Sequence, residues 1–373
     1  MQTSQNRYKD YNNPDGFASK ETRLENHEET HWSFLESRRQ VILLIVFAVL
    51  AVTAVMVYRD SLAQLREASE HQPLTIAGRP PRATDEFDLS NSLVPAKEIR
   101  PGGPRVDGIP AITQPRLLNA DAARFLRPTD PVIGVAMNGD ARAYPLRILD
   151  RHEIVNDQIG AVPFAVTYCP LCDSSVVFDR RSEDGTIEFG VSGKLYNSNV
   201  LMYDRPSSSE SSLWSQMRGG AITGPRAGAP LRTLPLEVVA WGDWKSRYPD
   251  TRVLATEGGR IRQLGPSLYE GYFRSASLMF PVEPLDDRLP TKTPILGVWG
   301  QETARAYPIS AFADVQNSLK LPQEIDGVSF TLGYEPDWKS LRIVAAEDGL
   351  QWVYSYWFAW AAFHEATEIF VRE

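Results

Sequence analysis

The chain of 373 residues contains two cysteines, and they stand three positions apart in Thr-Tyr-Cys-Pro-Leu-Cys-Asp-Ser-Ser, at Cys169 and Cys172. Two thiols at this spacing can close a small disulfide ring or hold one soft metal ion, because the turn between them lets both sulfurs point the same way. If Cys169 ends a strand with free N–H groups of the following turn nearby, its thiolate is stabilised and attacks, leaving Cys172 to resolve the mixed disulfide. A purely structural bridge is the plainer alternative, but so short a loop has little closure entropy to remove and would stabilise the fold only slightly. No second Cys-x-x-Cys exists to complete a zinc knuckle.

Any further chemistry falls on two histidines, His152 and His364, the only ones after residue 90. His152 lies in Arg-His-Glu-Ile-Val-Asn-Asp, 17 residues before Cys169. An imidazole with an ordinary pKa near 6.5 suits it to moving the thiol proton, which makes Cys169, Cys172 and His152 the candidate catalytic set. Alternatively Cys169, Cys172, His152 and His364 form a Cys2His2 set for zinc or copper, with Met202 and Met217 as possible thioether donors to Cu(I). Each histidine read alone is an ordinary structural or surface residue. Asp173 can cap the turn after the motif as readily as it tunes a thiol. Lys194, Asn197, Gln216 and Arg218, in the polar runs 192–205 and 212–224, could line a pocket or simply serve hairpins and loops.

The elements that must hold these residues are mostly strands. Val-Pro-Phe-Ala-Val-Thr-Tyr leads into the cysteines, and nine Trp and 27 Pro favour short strands and turns over long helices. Residues 131–149 (PVIGVAMNGDARAYPLRIL) repeat in 294–312 (PILGVWGQETARAYPISAF), and the correspondence runs on through 159–172 and 324–338 to the turns at Asp184-Gly185 and Asp348-Gly349. The fold class expected is α+β, mostly β: one large globular domain, 90–373, built on an internal duplication with repeats near 131–192 and 294–357. The alternating runs around Asn-Gly-Asp and Glu-Asp-Gly predict hairpins. In the second copy Glu335 replaces Cys169 and Trp338 replaces Cys172, so one half keeps the site and the other keeps the frame. A short helix closed by Pro249 is expected in 241–250, and a final helix bearing His364 in 357–370.

A single transmembrane helix precedes the domain. Residues 41–58 are 18 uncharged residues between Arg38-Arg39 and Arg59, close to the about 20 that cross the hydrocarbon core at 1.5 Å each. About 40 polar residues come first, so the segment reads as an uncleaved signal anchor. Residues 1–40 are a polar tail too poor in apolar positions to fold, and 59–89 a stalk and Pro-rich linker. A slight excess of arginine before the helix puts the tail in the cytoplasm. The domain is then periplasmic or extracellular on the cell (inner) membrane, with the lipid bilayer as its first partner. A net charge of -8 leaves no basic face for a phosphate backbone and argues against nucleic acid.

The strings GGPRVDGIPAI (Gly102 to Ile112), ARAYP, HEIVND, TYCPLCDSSVVF, SGKLYNSN, DRPSSS followed by SLWSQ, and WFAWAAFH together resemble the bacterial and archaeal domain of unknown function 3179, over nearly all of 90–370. The resemblance implies an exported or membrane-anchored protein. Selenoproteins in that family imply redox use of the cysteine motif. The leading expectation is therefore a membrane-anchored thiol-disulfide oxidoreductase acting on an unknown redox partner or small-molecule substrate. Its rivals are a copper- or zinc-binding module and a non-catalytic envelope or carbohydrate-binding domain in which Cys172→Ser would keep function. A reactive pair must not be sealed in apolar packing away from every cavity and imidazole.

Overall fold

Alternation of apolar and polar residues, interrupted by Asn-Gly, Asp-Gly and Pro, breaks the chain into short strands, and five antiparallel-rich sheets result among the described residues. The computed structural model describes residues 87–205, 211–255 and 267–372, with Met56 alone before them. The 41–58 segment, its flanking tail and its linker lie outside the described residues apart from Met56 and residues 87–89. Among the described residues no helix is long and apolar enough to cross a membrane.

The first copy opens with the hairpin β1 (Pro131–Met137) and β2 (Asp140–Pro145). Its turn residues Asn138 and Gly139 have φ of 53° and 77°, the pair of positive angles that a two-residue turn matching strand twist requires. A one-turn helix, α1 (Leu146–Leu149), leads to the meander β3 (Ile154–Ile159), β4 (Val162–Cys169) and β5 (Ser174–Asp179). An insertion follows, carrying β6 (Phe189–Tyr196), β7 (Asn199–Asp204) and β8 (Leu213–Ser215) in a sheet of their own. The copy then closes with β9 (Glu237–Ala240), α2 (Trp241–Arg247) and β10 (Arg252–Leu254). After a segment whose described residues form only the short helix α3 (Glu270–Arg274), the second copy repeats the plan: β11 (Pro294–Trp299), β12 (Ala304–Pro308), the meander β13 (Leu319–Ile325), β14 (Val328–Glu335) and β15 (Ser340–Ala346), then β16 (Gln351–Tyr356), α4 (Trp357–Phe363) and β17 (Glu368–Ile369).

The duplication thus reaches beyond 192 and 357. In each copy the last strand pair flanks the opening hairpin in the same way: β9 is antiparallel to β1 and β10 parallel to β2, as β16 is to β11 and β17 to β12. The helix between them lays one tryptophan on a hairpin glycine. A Cβ at Gly134 would lie 2.2 Å from the Trp244 ring, and one at Gly297 2.4 Å from Trp360. Both indole N–H groups are buried and need an acceptor, which Thr251 Oγ1 at 2.9 Å and Thr367 Oγ1 at 2.8 Å provide. The first copy's meander also joins the second copy: β5 pairs with β16, fusing β3-β4-β5-β16-β11-β12-β17 with Ile112–Thr113 into one eight-stranded sheet.

Two expectations need correction. The Asp348-Gly349 turn does not close a hairpin, unlike those at 138–140 and 183–185, because β16 is already paired on both edges by β11 and β5. The final helix stops at Phe363, since residues 368–369 add to the edge of β12 as a strand; His364 is its cap and not a helical residue. The helix ending before Pro249 is present as α2.

Candidate functional site

Cys169 is the last residue of β4 and Cys172 lies in the turn that reverses the chain into β5. The turn needs Asp173 at φ 47°, as its counterpart in the second copy needs Lys339 at φ 50°. Both thiols are free and buried, Cys169 2% and Cys172 0% exposed. One side of the pair is apolar, formed by Leu171, Leu195, Val200, Tyr356 and Phe358, with Tyr269 and Phe273 packed over them.

The other side is a closed polar network. Asn199 Nδ2 donates toward Cys172 Sγ at 3.2 Å, Ser174 Oγ lies 3.1 Å from the same sulfur, and Gln216 Oε1 accepts from Ser174 Oγ at 2.6 Å and from Asn199 Nδ2 at 2.8 Å. Gln216 Nε2 in turn donates to Thr167 Oγ1 at 2.9 Å, and the Met217 N–H to Asn199 Oδ1 at 3.2 Å. Buried amides and hydroxyls satisfied in this way hold their orientation firmly.

The two sulfurs are unequal. Burial, the hydrogen bond to Cys172 and the charges of Cys172 and Glu153 push the Cys169 thiol well up, and its remaining partner is the Ser198 carbonyl at 3.9 Å, an acceptor that favours the protonated form. Burial acts on Cys172 as well, but its hydrogen bonds, chiefly those donated by Cys169 and Asn199, outweigh it and bring that thiol down. Thiolate character therefore falls on Cys172, while the strand-end geometry expected to activate Cys169 is present without the donors. Beside the pair, Glu153 is buried and pushed up to about 8, first by burial and then by the charge of Cys172. Burial also raises Asp173 to about 6, although Tyr168 donates to its Oδ1 at 2.8 Å.

His152 is half-buried with Nδ1 2.8 Å from the Pro110 carbonyl. His364 is stacked on Trp360 at 3.8 Å and lies 5.2 Å from Trp299; its buried Nε2 has no partner among the described residues, and burial lowers its pKa to about 4. Among the described residues no three His, Cys, Asp or Glu side chains come together as a metal's ligand set, so the Cys169, Cys172, His152 and His364 set does not assemble. Met202 and Met217 belong to the apolar cluster around Trp214 and not to the cluster holding the cysteines.

A cleft of about 320 Å³ has Asn197, Met217, Arg218, Trp299 and His364 among its walls, and Met217, whose N–H bonds Asn199, joins it to the polar network. Asn197 and Arg218 thus line a pocket as the polar runs suggested, Gln216 is in the buried network, and Lys194 is half-buried on β6, outside the walls of this cleft. Glu153, Ser174 and Asn199 were not singled out from sequence. Glu153 adjoins His152 and Ser174 follows the motif by two, but only burial distinguishes them from neighbours of the same type.

The sequence profile of one family, described as "Protein of unknown function (DUF3179)", matches residues 106–335. No curated protein and no solved structure matches the chain.

Proposed function

From the premise that the chain belongs to the family described as protein of unknown function (DUF3179), a description that carries no reaction, we propose on its own chemistry that Cys172 and Cys169 are a thiol-disulfide redox pair. The carrying observation is the inequality of the sulfurs: Cys172 is held toward the thiolate by Asn199 and Cys169, and Cys169 is held protonated. A structural thiol pair needs no such donors.

The Cys172 thiolate attacks one sulfur of a substrate disulfide; the S–S bond breaks, and the departing sulfur takes a proton from Glu153. Cys169 then gives its proton to the Glu153 carboxylate, attacks the Cys172 sulfur and expels the second substrate sulfur, which is protonated by solvent. The substrate disulfide gains two electrons and the cysteine pair loses them. A carboxyl with a pKa of about 8 can serve as acid and then base near neutrality. On this reading His152 and His364 take no part in proton transfer, and copper or zinc has no role. The uncharged run 41–58 supports the companion proposal that the domain is held at the bilayer, outside the cytoplasm.

The reduced full chain incubated with oxidised glutathione is expected to lose two thiols and gain one intramolecular bridge. Cys169→Ser should accumulate a mixed disulfide on Cys172, and Cys172→Ser should form neither species. A wild-type protein that keeps both thiols under these conditions, although alkylation shows them reachable, would overturn the proposal.

A further inference from the structure

We infer that residues 267–290 are a strap that gates the cysteine pair, opening by local release while the sheets stay intact. The inference takes its purpose from the redox reading but stands on separate observations. Both sulfurs are at most 2% exposed, so no reagent meets them unless something moves. They are otherwise enclosed by β4, β5 and β16 of the eight-stranded sheet, by β6 and β7 of the insertion's sheet and by Phe358 of α4, whose displacement would amount to unfolding. The remaining cover is the strap.

Between 267 and 290 the only helix or strand is the five-residue α3, no residue is paired in a sheet, and most residues are exposed. Leu268, Met279 and Leu285 face solvent at 66%, 57% and 55%. The inner side nevertheless presents Tyr269, Phe273, Leu278, Phe280 and Val282 to the cluster containing both cysteines. Segments with few buried contacts and few backbone hydrogen bonds open at much lower free energy than the core.

Discrete latches hold the strap down. Tyr272 Oη donates to the Leu171 carbonyl at 2.7 Å, and Leu171 lies between the two cysteines, so this latch is fixed to the reactive turn itself. Lys292 Nζ donates to the carbonyls of Tyr272 and Ser275, each at 2.6 Å, and sits 3.3 Å from the centroid of the Tyr272 ring. Farther along, Asn197 Nδ2 donates to the Glu283 carbonyl at 3.0 Å and Glu283 N–H to Asn197 Oδ1 at 3.1 Å. Asn197 and Glu283 both line the 320 Å³ cleft, so this clasp is where an occupant of the cleft would meet the strap.

The test is the rate at which iodoacetamide alkylates Cys169 and Cys172 in the reduced full chain, followed by mass spectrometry. Labelling of the wild type is expected to be at least about a hundredfold slower than that of the guanidinium-unfolded chain, as a closed state dominated by local latches requires. Tyr272→Phe, which loses one hydrogen bond, should speed it roughly fivefold, and Lys292→Met roughly tenfold. Lys245→Met, which breaks only an exposed ion pair with Asp121, should leave it unchanged. At low urea the rates should hardly change, because a strap exposes little surface on opening. Rates equal among all variants, or rising with urea as steeply as global unfolding, would overturn the gate. A pair that labels as expected yet never forms a bridge would refute only the redox reading.

Discussion

Thiol chemistry is decided atom by atom in this protein. The Cys-Pro-Leu-Cys spacing identifies the pair, but the amide donor that singles out one sulfur, Asn199, comes from a different sheet. Proton handling was assigned from sequence to His152 because its ordinary pKa suits the task; the group that feels the Cys172 charge is its neighbour, Glu153. Burial, which no residue type announces, moves a carboxyl into the range usually reserved for histidine. The consequence is measurable. Glu153 is raised from 4.5 to about 8 in the folded protein, so between those values the unfolded chain has released a proton that the folded one retains. Stability is therefore full below pH 4.5, falls by up to about 1.4 kcal/mol per pH unit as pH rises through the window, and levels off above 8. Urea unfolding at pH 5, 6.5 and 8 should show this decline in the wild type and lose most of it in Glu153→Gln. Parallel profiles for the two proteins would show that Glu153 does not carry the shift.

At the scale of elements, the repeated hairpin and the helix that packs on it are legible in part. Asn138-Gly139 predicts a two-residue turn and forms one. The second half of each repeat was missed, although Trp241, Trp244 and Thr251 recur at the same spacing as Trp357, Trp360 and Thr367; the 57 residues 180–236 that separate it from the first copy's meander hide the match. Close helix-to-hairpin approach depends on a glycine beneath each second tryptophan. Gly297→Ala places a methyl where the Trp360 ring lies 2.4 Å away, and such overpacking costs about 1–3 kcal/mol. Denaturant unfolding should show that loss with an unchanged m-value; a change under about 0.5 kcal/mol, the scatter of ordinary surface substitutions, would mean the ring gives way freely. Where the last helix ends was not legible, because residues 368–369 follow the edge of β12.

At the scale of the molecule, the chain divides into the units Met1–Pro80 and Pro81–Glu373, the second carrying the duplicated sheets and the first the uncharged run. A chain starting at Pro81 is expected to move from the carbonate-resistant membrane fraction to the soluble one while keeping its thermal transition. Recovery of the full chain in the soluble fraction would remove the anchor. What the amino-acid order determined by itself is local and periodic: strand-rich repeats, their hairpin turn, the cysteine pair, and an uncharged run of 18 residues. Only tertiary structure decided that the first copy's meander joins the second copy's hairpin sheet, that an insertion in one copy brings Asn199 to a sulfur and Gln216 to Asn199, and that the cysteines and histidines do not gather as a metal's ligand set among the described residues. The reason is physical: periodicity fixes which face of a strand is buried, whereas strand partners, and the burial that sets each pKa, depend on contacts between residues far apart in the chain.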